Sequence, residues 1–599
     1  MVTNHHRTQS NGGLRPVHFL PVMLMPCRLP IRLACFLLAA LLAGGCAVVT
    51  RKQPAGSDSA SSATAADYSA AAVKARTESQ AHYAAAVLHE QSEDFELAAD
   101  EYLRAAAADP ANEILVLEAV GRVLRYRPAD KAKDEASLRV RERLIEVLRK
   151  ATAVPGSTGL LQARLALVYS LAGKKDEAIA ASRKAIERNP GSLAGYQHLA
   201  QIHLQAGQRD EGLKVLDQAA RQKNPDTDFL LDLGETYLAF GRGGAMDSVR
   251  ARASTVYKRV AEAAPKNPVE LQRLAEGLTA LGEVDLAIGT YRRLLERLPN
   301  LTALREKLVE LYLRKQDRTN AVVQLRAIVR ESPGNAQPHY LLGSVLFEDH
   351  QNKEAAEAFR HTLLLSPNFE PAHYDLAAAL MNSERAPEAI ETLQKAREKF
   401  KPSFVGEFYT GLAYGRMKDY TNSLRHLTSA EVIARATSTN RLNHSFYFQL
   451  GAASERLHRF QEAEGYFRKA LGLQPDFAEA LNYLGYMWAE RGENLPEARE
   501  MIEKALKLEP KNAAFLDSLG WVLFKLGQPR EALPHLLKAI ELNEEPDATL
   551  YDHLGDVYAA LNQPAKAREA WEKSVSIEAS PTVAAKLKDA SKPGSKAKP

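Results

Sequence analysis

The chain has 599 residues, more than one hydrophobic core can organise, so it is either several domains or an array of repeats. Alanine and leucine are abundant, charged residues make up 25% and β-branched runs are scarce, a composition that favours helices. The formal charge of +4 comes entirely from the first 45 residues, which hold Arg7, Arg15, Arg28 and Arg32 and no acid; the remaining 74 basic and 74 acidic side chains balance, which argues against nucleic-acid binding.

In chain order the first element is an export signal, residues 1–45. Arg28 and Arg32 precede the apolar run Leu33–Leu42, which is followed by Ala43-Gly44-Gly45-Cys46. The run is too short for a spanning helix, which needs about 20 apolar residues. Met23 and Met25 are alternative starts to Met1. The small residues ending in Cys46 resemble a bacterial lipoprotein box, in which the cysteine is lipidated and becomes the mature N-terminus; Ala43 stands where that motif most often has Leu. The alternatives are a plain cleaved signal and a retained single-pass anchor. Cys27, Cys35 and Cys46 are the three cysteines, and cleavage before Cys46 leaves a single thiol and no internal disulfide. Ala47 follows Cys46, and by resemblance to lipoprotein sorting the absence of Asp there implies a lipid anchor in the outer membrane, facing the periplasm.

Residues 46–78 hold the cysteine and a stretch rich in Ala, Ser and Thr that cannot bury enough surface to fold alone, so they are expected to be a flexible tether. Residues 79–581 then carry a self-similarity of about 34 residues. About fourteen units start near Gln80, Asn112, Gly159, Leu193, Thr227, Pro268, Thr302, Ala336, Glu370, Phe404, His444, Ala478, Ala513 and Ala548. The second unit is degenerate over 113–158, with a polar interruption from Lys131 to Glu135. The fifth has an insertion near 241–251, beginning Gly241-Arg242-Gly243-Gly244, and the tenth has Ser423 in place of its central Ala. Residues 582–599, with Lys586, Lys588, Lys592, Lys596 and Lys598, are expected to be a basic disordered tail.

The clearest copy has Leu516, Leu519-Gly520, Leu523, Ala532, Leu536 and Ala539; the next has Tyr551, Leu554-Gly555, Tyr558, Ala567 and Trp571. Upstream, Leu342-Gly343, Ala355, Phe359 and Pro367 repeat the pattern, as do Leu274-Ala275, Ala287, Tyr291 and Pro299. These residues resemble the tetratricopeptide repeat. The small residue after Leu lets the second helix approach closely, the central Ala does the same from the other side, and the terminal Pro stops the second helix. The resemblance implies an all-α, right-handed superhelix (a solenoid) of helix-turn-helix repeats whose first helices line a concave surface.

In that family the fifth and ninth residues of each first helix face the groove, which implies Tyr340, Tyr374, Phe408, Phe448, Asn482, Asp517 and Asp552 at fifth positions, with Tyr486 and Trp521 at ninth. Two readings are open: the rings are exposed and bind an extended peptide or amphipathic helix, or they pack between hairpins as core. No phosphate-cradling loop, zinc-protease helix or Gly-x-Ser-x-Gly elbow is present, so no catalytic residue or cofactor is expected. The dispersed histidines, among them His339, His361, His373, His426, His444, His458, His535 and His553, are expected to be structural or solvated rather than metal ligands. The expected function is an envelope-anchored scaffold or adaptor that binds peptide or protein partners of an assembly or export machine. The alternatives are a periplasmic chaperone-like holder of exported polypeptides and an enzyme with an unrecognised site.

Overall fold

The computed structural model describes residues 69–126, 135–242 and 246–590. The signal, Cys46 and most of the expected tether lie outside the described residues, as do most of the polar interruption and Gly243 and Gly244 of the insertion. The described residues are helical with no strands, and they fall into two compact units divided between Asp317 and Arg318. No helix among them is long and apolar enough to cross a membrane.

The N-terminal unit contains α1 (Ala70–Gln91), α2 (Phe95–Ala108), α3 (Glu113–Tyr126), α4 (Glu135–Ala153), α5 (Gly159–Leu171), α6 (Lys175–Arg188), α7 (Leu193–Gln205), α8 (Arg209–Ala220), α9 (Thr227–Gly241), α10 (Met246–Glu262), α11 (Pro268–Leu281), α12 (Val284–Arg297) and α13 (Thr302–Arg314). The C-terminal unit contains α14 (Arg318–Glu331), α15 (Ala336–Glu348), α16 (Asn352–Leu365), α17 (Glu370–Asn382), α18 (Ala386–Lys399), α19 (Phe404–Arg416), α20 (Tyr420–Thr437), α21 (His444–Arg456), α22 (Phe460–Leu473), α23 (Ala478–Arg491), α24 (Leu495–Leu508), α25 (Ala513–Lys525), α26 (Pro529–Leu542), α27 (Ala548–Ala560), α28 (Pro564–Ile577) and α29 (Pro581–Ala590). Within each unit the helices pair as hairpins with the odd-numbered helix first, from α1/α2 to α11/α12 in the N-terminal unit and from α15/α16 to α27/α28 in the C-terminal one, and each hairpin packs on the next.

Local chemistry sets these boundaries. Asn335, Asn443 and Asn512 cap α15, α21 and α25, each accepting a hydrogen bond from a backbone N–H in the first turn. Each helix-to-helix turn of the hairpins α15/α16 to α27/α28 passes through a left-handed residue. It is Gly527 in one of them and His350, Glu384, Lys418, His458 or Asn562 in five others, while the turn between α23 and α24 has a second, Asn494, beside Gly492. Within a hairpin the small residue of the first helix is required by contact. A Cβ on Gly343 would lie 2.7 Å from the Phe359 ring, and one on Gly555 would lie 2.4 Å from Trp571. The facing alanines Ala355, Ala532 and Ala567 are essentially sealed from solvent.

Two expected boundaries differ from the structure. Helix α1 begins at Ala70, with the Ser69 hydroxyl capping Ala72 N, so the last part of the expected tether is already helical. The expected disordered tail contains α29: Val583 and Leu587 pack against Trp571, Tyr558 and Val575, which gives this short amphipathic segment a face to bury. Residues 591–599 lie outside the described residues.

Candidate functional site

The fifth, sixth and ninth positions of the first helices in the C-terminal unit form three successive environments. At α15–α19, Tyr340 is half-buried, edge-on to Phe369 (ring centroids 4.7 Å apart), and its hydroxyl donates to Asp375 Oδ2 at 2.8 Å. Tyr374 is 9% exposed and donates its hydroxyl to Glu370 Oε1 at 2.9 Å, with Ser403 Oγ at 3.2 Å. It is a packing residue that joins α17 to the start of α19, not an open ring. Phe408 stacks on Phe404 (5.6 Å, 10°) and tilts against Phe446, keeping part of its face exposed.

At α21–α23 three of the six side chains, Phe448, Tyr483 and Tyr486, are aromatic. Phe448 meets Phe467, Phe477 and Tyr483 with centroids 5.2–5.8 Å apart, the offset and edge geometries that ring quadrupoles favour. Asn482 is 7% exposed, and its Oδ1 is buried without a hydrogen-bond partner. Tyr486 is half-buried, with its ring 6.3 Å from that of His553. Burial, reinforced by the nearby Glu490 and Asp517 carboxylates, holds its phenol well above the ordinary range.

At α25–α29 charges and rings interlock. Trp521 is 7% exposed and lies flat on His553 (4.0 Å, 15°) and on Phe524 (5.1 Å, 20°), with the Lys525 ammonium over its face. Its Nε1 has no hydrogen-bond partner among the described residues. Trp521 is therefore core, like Tyr374. His553 Nδ1 and Asp517 Oδ1 lie 2.8 Å apart, both side chains buried. Burial works to lower the His553 pKa, but the charge and hydrogen bond of Asp517, with Glu490 and Asp552 nearby, outweigh it and raise the value. Asp552 does not stand open to a ligand either: Lys586 of α29 donates to Asp552 Oδ1 at 2.7 Å and to Asp556 Oδ2 at 2.6 Å.

Two groups, Asp375 and Tyr409, were not singled out from sequence, and the pairing of a third, His553, was not foreseen. Asp375 occupies the sixth position of α17, one residue beyond the fifth position that the repeat pattern draws attention to. Burial raises its pKa from 3.8 to about 6, with the Tyr340 hydroxyl pulling the other way. Tyr409 is the sixth residue of α19, and its phenol is raised by burial and by the charge of Asp375. His553, expected to be isolated, is half of the pair with Asp517. His426 and His373 also have packing roles: His426 is buried 2.7 Å from Glu407, and His373 lies 3.0 Å from the Pro367 carbonyl oxygen. Among the described residues no group of three or more His, Cys, Asp or Glu side chains is placed to hold a metal ion.

Family profiles described as tetratricopeptide repeat match residues 171–230, 306–368, 346–403, 448–513 and 489–585. The chain is a tetratricopeptide repeat protein. A peroxisomal targeting signal receptor of Eremothecium gossypii is 24% identical over 225 residues, 37% of this chain and 38% of the relative, so the chain spans little more than a third of that protein's length. Among solved structures, that of an APC/C hetero-tetramer Cut9-Hcn1 is 16% identical with a TM-score of 0.37, covering 76% of this chain and 94% of that one. A tetratricopeptide repeat protein from Parabacteroides merdae is 15% identical with a TM-score of 0.35, covering 42% and 97%. Tetratricopeptide repeats support a protein–protein interaction scaffold, and the family is typically non-catalytic.

Proposed function

We propose that this protein is an envelope scaffold, lipidated at Cys46 and held at the outer membrane facing the periplasm, which binds extended segments of protein partners along the first helices of its C-terminal unit. The observation that carries the reading is the row of half-buried rings Tyr340, Phe408, Phe448 and Tyr486 on α15, α19, α21 and α23. Rings that are fixed in place by neighbours yet keep part of a face open supply contact area at low entropic cost, which suits them to a peptide partner. The curated relative is named a receptor for a targeting signal, which agrees with a protein that holds a segment of another polypeptide. In this reading the protein binds its partner and does not convert it. The lipid anchor rests on the sequence around Cys46 alone.

Two measurements test the proposal. Labelling cells with a fatty-acid analogue is expected to mark the wild type and not Cys46→Ser, and the variant is expected to move to the soluble fraction. In cross-linked envelopes, Phe408→Ser/Phe448→Ser is expected to lose partners that Leu364→Ser, altered on the exposed face of α16, retains. Equal recovery of partners by the two variants rejects the first-helix face as the binding surface.

A further inference from the structure

Across α15, α17, α19, α21 and α23 the fifth, sixth and ninth positions are fifteen side chains, and Asp375 is the only charged one among them. It is half-buried on a face otherwise made of aromatic, small and neutral residues. Its Oδ2 accepts from the Tyr340 hydroxyl, whereas Oδ1 keeps solvent-accessible surface. Among the described residues no lysine, arginine or histidine pairs with it; what shapes it is the surrounding burial and Tyr340. On α19, Tyr409 is near enough for its hydroxyl to feel the Asp375 charge.

A half-desolvated carboxylate with no cation costs folding free energy, because neither water nor a counter-charge fully compensates it. Elsewhere in this unit the chain supplies such a partner: Lys586 for Asp552 and Asp556, His553 for Asp517. At Asp375 it does not: the Tyr340 hydroxyl binds one oxygen, and Tyr409 is near enough to feel the charge. A carboxylate flanked by aromatic faces suits a lysine or arginine side chain, whose charge meets the acid while its stem and cationic face lie on the rings.

We propose that Asp375, together with its neighbours Tyr340 and Tyr409, recognises one lysine or arginine side chain of an extended partner polypeptide lying along the first helices. This rests on the peptide-binding reading of that face given above. The occupant is a segment with one cationic residue among apolar neighbours, because Phe408 and Phe448, at the fifth positions of the next two first helices, offer only apolar surface.

The test uses the full-length chain in detergent and a library of acetylated, amidated nonapeptides of apolar residues that carry lysine, arginine, norleucine or glutamate at the centre, with binding followed by fluorescence polarisation. The wild type is expected to bind the best lysine or arginine peptide about tenfold more tightly than its norleucine counterpart, the scale of one well-placed charge contact. Asp375→Asn, which keeps an acceptor for the Tyr340 hydroxyl, is expected to reduce that preference to under about twofold while norleucine peptides bind as before. Tyr409→Leu is expected to weaken lysine peptides by about threefold with less effect on norleucine peptides. Peptides that bind with no cationic preference, or a preference that survives in Asp375→Asn, overturn the assignment and leave the peptide-binding face standing. If no nonapeptide binds the wild type, both readings fall together.

Discussion

The two ends of the first-helix face in the C-terminal unit are built from the same repeat and treat buried charge in opposite ways. At α25–α29 every acid at a fifth or ninth position is answered from within the chain: Asp517 by His553, Asp552 and Asp556 by Lys586. At α15–α19 the one acid at a fifth, sixth or ninth position, Asp375, is given a tyrosine hydroxyl and, among the described residues, nothing positive. The difference separates charge that holds neighbouring hairpins together from charge left available to something else. Position in the repeat does not make that distinction; the partner on the next helix does.

Substitutions can break or sharpen the contrast. The largest effect is expected from Lys586→Met, which leaves Asp552 and Asp556 without their cation. Discounted for the partial exposure of all three groups, the loss should be about 1–3 kcal/mol in denaturant unfolding, with faster amide exchange concentrated in α29. Asp375→Asn should act in the other direction and stabilise the unit by about 1–2 kcal/mol at pH 7, since a pKa raised from 3.8 to about 6 means that the charged form is disfavoured in the fold. The wild-type group contributes its full stability below about pH 4 and loses it as pH rises through 6. The gain from Asp375→Asn should therefore grow across that window and vanish at its acid end. An Asn variant less stable than the wild type at pH 7 would show that the carboxylate has a structural partner.

Asp517→Asn is expected to cost about 1 kcal/mol below pH 6 and less above it. The raised pKa of His553 makes the pair's contribution complete below the ordinary histidine value of 6.5, and it fades as pH climbs through the elevated one. The smallest effect is set by backbone geometry. Glu384 sits in the turn between α17 and α18 with φ at +62°, so Glu384→Gly should be neutral or stabilising by about 0.5 kcal/mol in thermal unfolding, while leaving peptide binding at Asp375 unchanged.

Much of this architecture is legible from local pattern. The starts at Gly159, Leu193, Thr227, Pro268 and Thr302, and each later one down to Ala548, coincide with the first residues of first helices. The Leu-Gly pairs and central alanines carry that register because they report contacts inside one hairpin. What the pattern misses is contact between hairpins. Tyr374 and Trp521 occupy groove-facing positions of the repeat, yet one is buried by the start of the next first helix and the other by a histidine of the next hairpin. His553 reads as isolated because Asp517 lies 36 residues away, and the basic tail reads as unstructured because the acids that Lys586 meets lie 30 and 34 residues upstream. Opposite charges spaced by about one repeat are the signal that recovers both. Asp375 shows no such signal; it stands out only once the absence of a cation around it is known.

The central claim, that partners are bound on the first-helix face of the C-terminal unit, is tested most directly by a photo-cross-linking amino acid placed in intact cells at Phe408 and, separately, at Leu364. Leu364 lies on α16 and is 76% exposed, so accessibility alone favours it. The account predicts a discrete cross-linked partner from position 408 and none from position 364. A partner captured from 364 and not from 408 would contradict it.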